Sequence, residues 1–201
     1  SGEASTGAIA AAGAKTVTIN AEAALSGAST FTAATLIDVN GTAAVSLTGA
    51  TTNAATLKTI DASGNSGGVT AVLGATNSVA FTGGAGNDAL TLATAGIAAT
   101  ANIDMGAGND TLTIGAGTTA ANILGTIKGG DGTDTLAMGF ADAAAVSTNT
   151  AFDAKVLGFE RLTIIDAPAA ATTVNLANLT YDYVTVNGST ALLTFTGMAA
   201  N

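Results

Sequence analysis

Three stretches decide how this chain is read: GGAGNDALT at residues 83–91, MGAGNDTLT at 105–113 and GGDGTDTLA at 129–137. Each carries glycine at its second and fourth positions, Asp at its sixth and Leu at its eighth. The stretches begin 22 and then 24 residues apart. A recurrence of that length is one coil of a solenoid, in which each repeat packs only on its neighbours.

Working outward, short runs of alternating side chains flank every stretch. One series reads VTIN at 17–20, LIDVN at 36–40, LKTID at 57–61, SVAFT at 78–82, NIDM at 102–105 and GTIKG at 125–129. A second series lies between them: VSLT at 45–48, VTAVL at 69–73, LTLA at 90–93, LTIG at 112–115 and LAMG at 136–139. Period-2 alternation over four or five residues is the pattern of a half-buried strand, so each coil offers two strands. Gly41, Gly64, Gly86, Gly108 and Gly132 mark the corner between them at intervals of 23, 22, 22 and 24. Such a corner is expected to need positive φ where coils stack about 4.8 Å apart. The expected fold is all-β: a right-handed parallel β-solenoid of about 20–24 residues per coil, with glycine-rich turns along one edge.

Composition agrees. The chain has 201 residues, 26 of them Gly and 1 Pro, with 9% charged and 4% aromatic residues. A core of small side chains buries little apolar area per residue, so many thin layers must stack. Residues 1–201 read as a single solenoid fragment of a larger protein. Residues 1–77 form coils without a clear motif, 78–139 the motif-bearing core, 140–157 an Ala-rich insertion that leaves the stack as a loop or short helix, and 158–201 further coils with a corner at Asn187-Gly188. A β-sandwich edge is the alternative for this tail.

Fourteen acids against five basic residues give a net charge of −9, which excludes a phosphate-neutralising nucleic-acid binder. Eleven of the acids are Asp, whose short carboxylate suits tight turns and hard cations. With no Cys and no His, thiolate and imidazole metal sites are excluded and the commonest general base is missing. No run of eighteen apolar residues suggests membrane insertion, and Ser1–Lys15 lacks the pattern of a secretory signal. An export signal is expected outside this fragment.

The three stretches resemble the calcium-binding nonapeptide G-G-x-G-x-D-x-U-x of the RTX (repeat-in-toxin) family, in which U is a large apolar residue. The second departs only at Met105. Calcium takes six to eight oxygens at about 2.3–2.6 Å, and a glycine-rich turn can aim several carbonyls at one point while one carboxylate per turn completes the set. Stacked turns place Asp88 near Asp110 and Asp110 near Asp134, so at least two ions are expected between three turns, along a single edge. The family geometry implies as ligands Gly83, Gly84, Ala85, Gly86 and Asp88 from the first turn, Met105, Gly106, Ala107, Gly108 and Asp110 from the second, and Gly129, Gly130, Asp131, Gly132 and Asp134 from the third. The preceding corner, Asp61 to Ser66, aligns by Gly64 but has Ser66 in place of an Asp; Asp61 or Asn65 is an alternative extension of the row.

The run FTGGAGND, MGAGND and GGDGTD, followed after an Ala/Thr-rich insertion by GFERLTI at 158–164, is similar to the calcium-binding RTX surface-layer proteins of the Caulobacter type. That resemblance implies type I secretion, an extracellular location on the cell surface, and self-association with copies of the parent protein in a calcium-dependent lattice. Cell-surface polysaccharide would be reached through other regions. The alternative is an RTX adhesin or biofilm protein that binds a surface or glycan. Catalysis is not expected, since the one cluster available for acid/base work, Asp153, Lys155, Glu160 and Arg161, reads as surface salt bridges.

Overall fold

The computed structural model describes residues 9–27, 29–48, 55–73, 79–92, 101–115, 125–147, 149–166, 168, 171–176, 181–187 and 192–197. Among these residues lie sixteen strands, numbered β1 to β16 in chain order, and two short helices. One sheet holds β1 (Thr16–Ala21), β2 (Leu36–Gly41), β4 (Thr59–Asn65), β6 (Ala80–Thr82), β8 (Ile103–Asp104), β10 (Ile127–Lys128) and β12 (Val156–Leu157), paired in that order. The facing sheet holds β3 (Val45–Ser46), β5 (Val69–Leu73), β7 (Ala89–Leu92), β9 (Thr111–Ile114), β11 (Thr135–Met138), β13 (Arg161–Ile164) and β15 (Tyr183–Val186). β14 (Thr172–Asn175) and β16 (Leu193–Thr196) pair as a separate two-stranded sheet. Every pairing is parallel. The chain is therefore a parallel β-solenoid, consistent with right-handed winding, and the two strand series of the sequence are its two main sheets.

Alternation explains why these short segments hold. Successive side chains point to opposite faces, so Val17, Ile37, Ile60, Phe81, Ile103, Ile127 and Val156 form one continuous column through the first sheet. Leu90, Leu112, Leu136 and Leu162 form another in the second. All but Val156, which is partly buried, belong to the buried core between the sheets. The leucine of each nonapeptide is thus the anchor that fixes the register of its turn.

One sequence expectation about the C-terminal part needs correction. Residues 140–157 do not leave the stack: α1 (Phe140–Val146) packs on β14, and Ala143, Val146 and Phe152, the last from α2 (Thr150–Asp153), are buried in the core. Their apolar spacing gives the short helices a face to bury, and Asn149 Oδ1 caps α2 by accepting from the N–H groups of Ala151 and Phe152 at 3.0 and 3.3 Å. The segment then returns to the first sheet as β12. The tail follows the expectation of further coils rather than its sandwich-edge alternative, since β13 and β15 continue the second sheet; of its expected corner, Gly188 lies outside the described residues.

The corner glycines do not share one role. Gly41, Gly108 and Gly132 have φ of 107°, 129° and 141°, as expected, but Gly64 and Gly86 do not adopt positive φ. Gly86 stacks on Gly67 and Gly68 rather than on Gly64, and a Cβ there would collide with the Gly68 backbone nitrogen. The cause is β4, which runs on to Asn65 with a register shift against β2, so that its corner falls later in the chain. At Gly108 both demands meet: positive φ, and a Cβ that would lie 2.6 Å from the Gly86 carbonyl oxygen. Gly108→Ala is expected to cost about 1–3 kcal/mol from backbone strain, read as a lower midpoint in denaturant at unchanged slope.

Candidate metal centre

The three motif turns lie directly above one another. Gly83 N–H donates to the Asp104 carbonyl (2.8 Å), Met105 N–H to Lys128 (3.0 Å) and Gly129 N–H to Leu157 (2.9 Å), so the first motif position of each turn is tied to the next coil in the same way. Further in, Ala107 N–H donates to Gly84, Asp131 N–H to Gly106 and Gly108 N–H to Asp131. Three of the carbonyls expected as ligands, those of Gly84, Gly106 and Asp131, therefore already accept inter-coil hydrogen bonds. Along the outside, Asn87 Oδ1 accepts from Asn109 N–H (2.8 Å) and Asn109 Oδ1 from Thr133 N–H (2.9 Å), a polar ladder that holds the turns in register.

The aspartates form a second ladder. Asp88 Oδ1 accepts from Val69 N–H at 2.6 Å, Asp110 Oδ1 from Asp88 N–H at 2.7 Å, and Asp134 Oδ1 from Asp110 N–H at 2.8 Å. Asp88, Asp110 and Asp134 are only 2%, 1% and 0% exposed. Their second oxygens differ: Asp88 Oδ2 accepts from Gly84 N–H at 3.3 Å, whereas Asp110 Oδ2 and Asp134 Oδ2 are buried with no hydrogen-bond partner. An orphaned buried acceptor costs about 1–3 kcal/mol, and more when charged. One oxygen of each carboxylate is thus committed to a backbone N–H of the preceding coil.

Burial sets the electrostatics. It pushes the Asp88 carboxyl up to about 6, against the opposing pull of the Val69 and Gly84 N–H groups. Asp110 is pushed up to about 7, first by burial, with the Asp88 N–H opposing and the Asp88 and Asp134 charges adding to the rise. Asp134 is raised as well, again mainly by burial. These are groups for which a nearby cation would reverse the cost of ionisation.

Oxygen atoms of adjacent coils converge beside the first motif position. A Cβ at Gly83 would collide with the Met105 carbonyl oxygen and Asp88 Oδ2. The donor set fits a hard, oxygen-preferring cation such as calcium: all ligands available are carboxylate and carbonyl oxygens. Among the described residues no three acidic side chains converge on one point, so an ion here must draw on backbone carbonyls, as the one-carboxylate-per-turn motif requires.

Other sequence candidates fall elsewhere. Asp61 Oδ1 is used within its own corner by Ser63 N–H and Oγ, and Asn65 Oδ1 by the N–H groups of Gly67 and Gly68. Asp104 pairs with Lys128 at 3.9 Å on the exposed surface, an arrangement worth little in stability. The supposed salt-bridge cluster is divided: Arg161 lies 5.4 Å from the Tyr183 ring centroid, and Glu160 turns to the aspartate ladder, its Oε2 accepting from Asp134 N–H at 2.7 Å. Glu160 was legible as an acid set directly before a strand, as Asp88, Asp110 and Asp134 are.

No protein-family model, curated protein or solved structure matches the chain.

Proposed function

We propose that this protein is a calcium-binding structural segment of a secreted RTX surface-layer protein, in which Ca²⁺ drives folding and lattice assembly on the cell surface. The observation that carries the reading is the pair of buried carboxylate oxygens, Asp110 Oδ2 and Asp134 Oδ2, left without a partner in a stack otherwise satisfied by backbone hydrogen bonds. Residues of the three turns would hold the ions: Asp88, Asp110 and Asp134 by carboxylate, and Gly83, Met105 and Gly129 among the carbonyl donors. Calcium would supply charge neutralisation between coils. Extracellular millimolar calcium then acts as the signal to fold outside the cell, as expected for export by a type I route.

The outward positions of the second sheet, Thr70, Thr91, Thr111, Thr113, Thr135 and Thr163 among them, form a regular face that suits self-association. Circular dichroism during a calcium titration of chelator-treated protein is expected to show β-structure gained, and electron microscopy of the parent protein to show ordered two-dimensional sheets only with calcium. An unchanged spectrum and melting temperature between chelator and millimolar calcium would overturn the calcium reading. Discrete particles that bind selectively to a glycan or surface would favour an adhesin instead.

A further inference from the structure

We propose that the turn Gly158-Phe159-Glu160 closes a third divalent-cation site over Asp134, although it carries no nonapeptide. The proposal rests on the reading that the aspartate row holds calcium.

The turn occupies the place of a motif in the next coil. Arg161 pairs with Thr135, as Thr135 pairs with Thr111, so Glu160 stands where Asp134 and Asp110 stand in their coils. Gly158 corresponds to the first motif position, since Leu157, just before it, accepts from Gly129 N–H as Lys128, just before Gly129, accepts from Met105 N–H. Six residues, Gly129 to Asp134, are thereby shortened to three. Two features compensate: Phe159 is buried (6% exposed) in place of the missing loop, and Glu supplies one more methylene than Asp. Its carboxylate still reaches Asp134 N–H at 2.7 Å, the bond that Asp134 makes to Asp110 N–H at 2.8 Å.

The oxygens of this gap repeat those at the first turn. A Cβ placed on Gly129 would collide with the Gly158 carbonyl oxygen and lie 2.7 Å from Asp134 Oδ2, just as one on Gly83 would meet the Met105 carbonyl and Asp88 Oδ2. Asp134 Oδ2 belongs to a fully buried side chain, has no partner, and lies beside the same face of Gly129 that the Gly158 carbonyl covers. The number of ions then follows the three carboxylates rather than the two gaps between motifs. Glu160 ends the row: its own N–H donates to the Asp134 carbonyl (3.1 Å), and Asp182, next in register, is exposed and donates its N–H to the Glu160 carbonyl (2.8 Å).

The test counts calcium bound to the full chain by equilibrium dialysis at neutral pH. Glu160→Gln keeps an acceptor for Asp134 N–H and removes only the charge; it is expected to weaken one site by about tenfold or more, leaving the remaining sites at wild-type affinity. Gly129→Ala puts a methyl where Asp134 Oδ2 and the Gly158 carbonyl converge and must displace that carbonyl; the same site should be lost, which covers the case of Glu160→Gln failing to fold. Unaltered binding in both folded variants overturns the third site while leaving the calcium reading intact. No calcium bound to the wild-type chain overturns both.

Discussion

Chelator-treated protein is expected to melt at a lower temperature at pH 8 than at pH 5, and calcium is expected to reverse that order. The buried carboxyls are the reason. In the unfolded chain Asp88 and Asp110 ionise near the ordinary aspartate value of 3.8, whereas in the fold they do so at about 6 and about 7. Between those limits the folded state holds protons that the unfolded chain has released, so stability falls as pH rises. Below about pH 4 both states are protonated and nothing is lost; above pH 7 both are ionised and the full cost is incurred. Moving one carboxyl from 3.8 to about 7 corresponds to on the order of 4 kcal/mol at 1.36 kcal/mol per pH unit, or roughly 10 °C for a chain of this size. Because the carboxylates are neighbours in one row, their protons leave as a property of the row.

Calcium competes with those protons, so its affinity rises over the same window. A site filled at about a thousand times its Kd adds about 4.1 kcal/mol, which offsets the roughly 4 kcal/mol of one such ionisation. Melting curves recorded from pH 5 to 8 with and without millimolar calcium should therefore diverge, falling in chelator and rising in calcium. A melting temperature in chelator that climbs with pH, as in ordinary acid denaturation, would show that the aspartates are not desolvated as described.

The strands were legible because one face of each sheet is buried: Val17-Ile19, Ile37-Val39 and Leu112-Ile114 advertise themselves by alternation. β12 was not, since two residues, Val156 and Leu157, carry no period and lie behind helices whose Ala-rich sequence resembles a surface insertion. Glycine spacing puts the corner at Gly64 three to four residues early, because it says nothing about a strand that bulges and runs on. At the site, the residue types and coil spacing gave Asp88, Asp110 and Asp134 as a stack, which the inter-coil bonds to Asp88 N–H and Asp110 N–H bear out. What spacing could not give is that each carboxylate spends one oxygen on its neighbour's backbone. Nor could a nine-residue template find Glu160, since its turn is three residues shorter and closed by a buried phenylalanine.

Asp110 offers the sharpest separation of the two roles of a carboxylate in this row, because substitution by Asn and by Ala should differ in size. Asp110→Asn retains an oxygen that accepts from Asp88 N–H but has no charge to desolvate. In chelator at pH 8 it is expected to be more stable than the wild type by on the order of 2–4 kcal/mol, with its pH dependence correspondingly flattened. Asp110→Ala also removes the charge, yet it leaves the buried Asp88 N–H without an acceptor and opens space in the turn. It should fall below Asp110→Asn by about 1–3 kcal/mol. In calcium both variants lose to the wild type, since neither supplies the anionic oxygen that Asp110 Oδ2 provides. Denaturant midpoints for the three proteins, measured with and without calcium, read out all four comparisons. An Asn variant that is less stable than the wild type in chelator would mean that the ionised Asp110 is already stabilised by the protein alone, and that no cation is required to justify its burial.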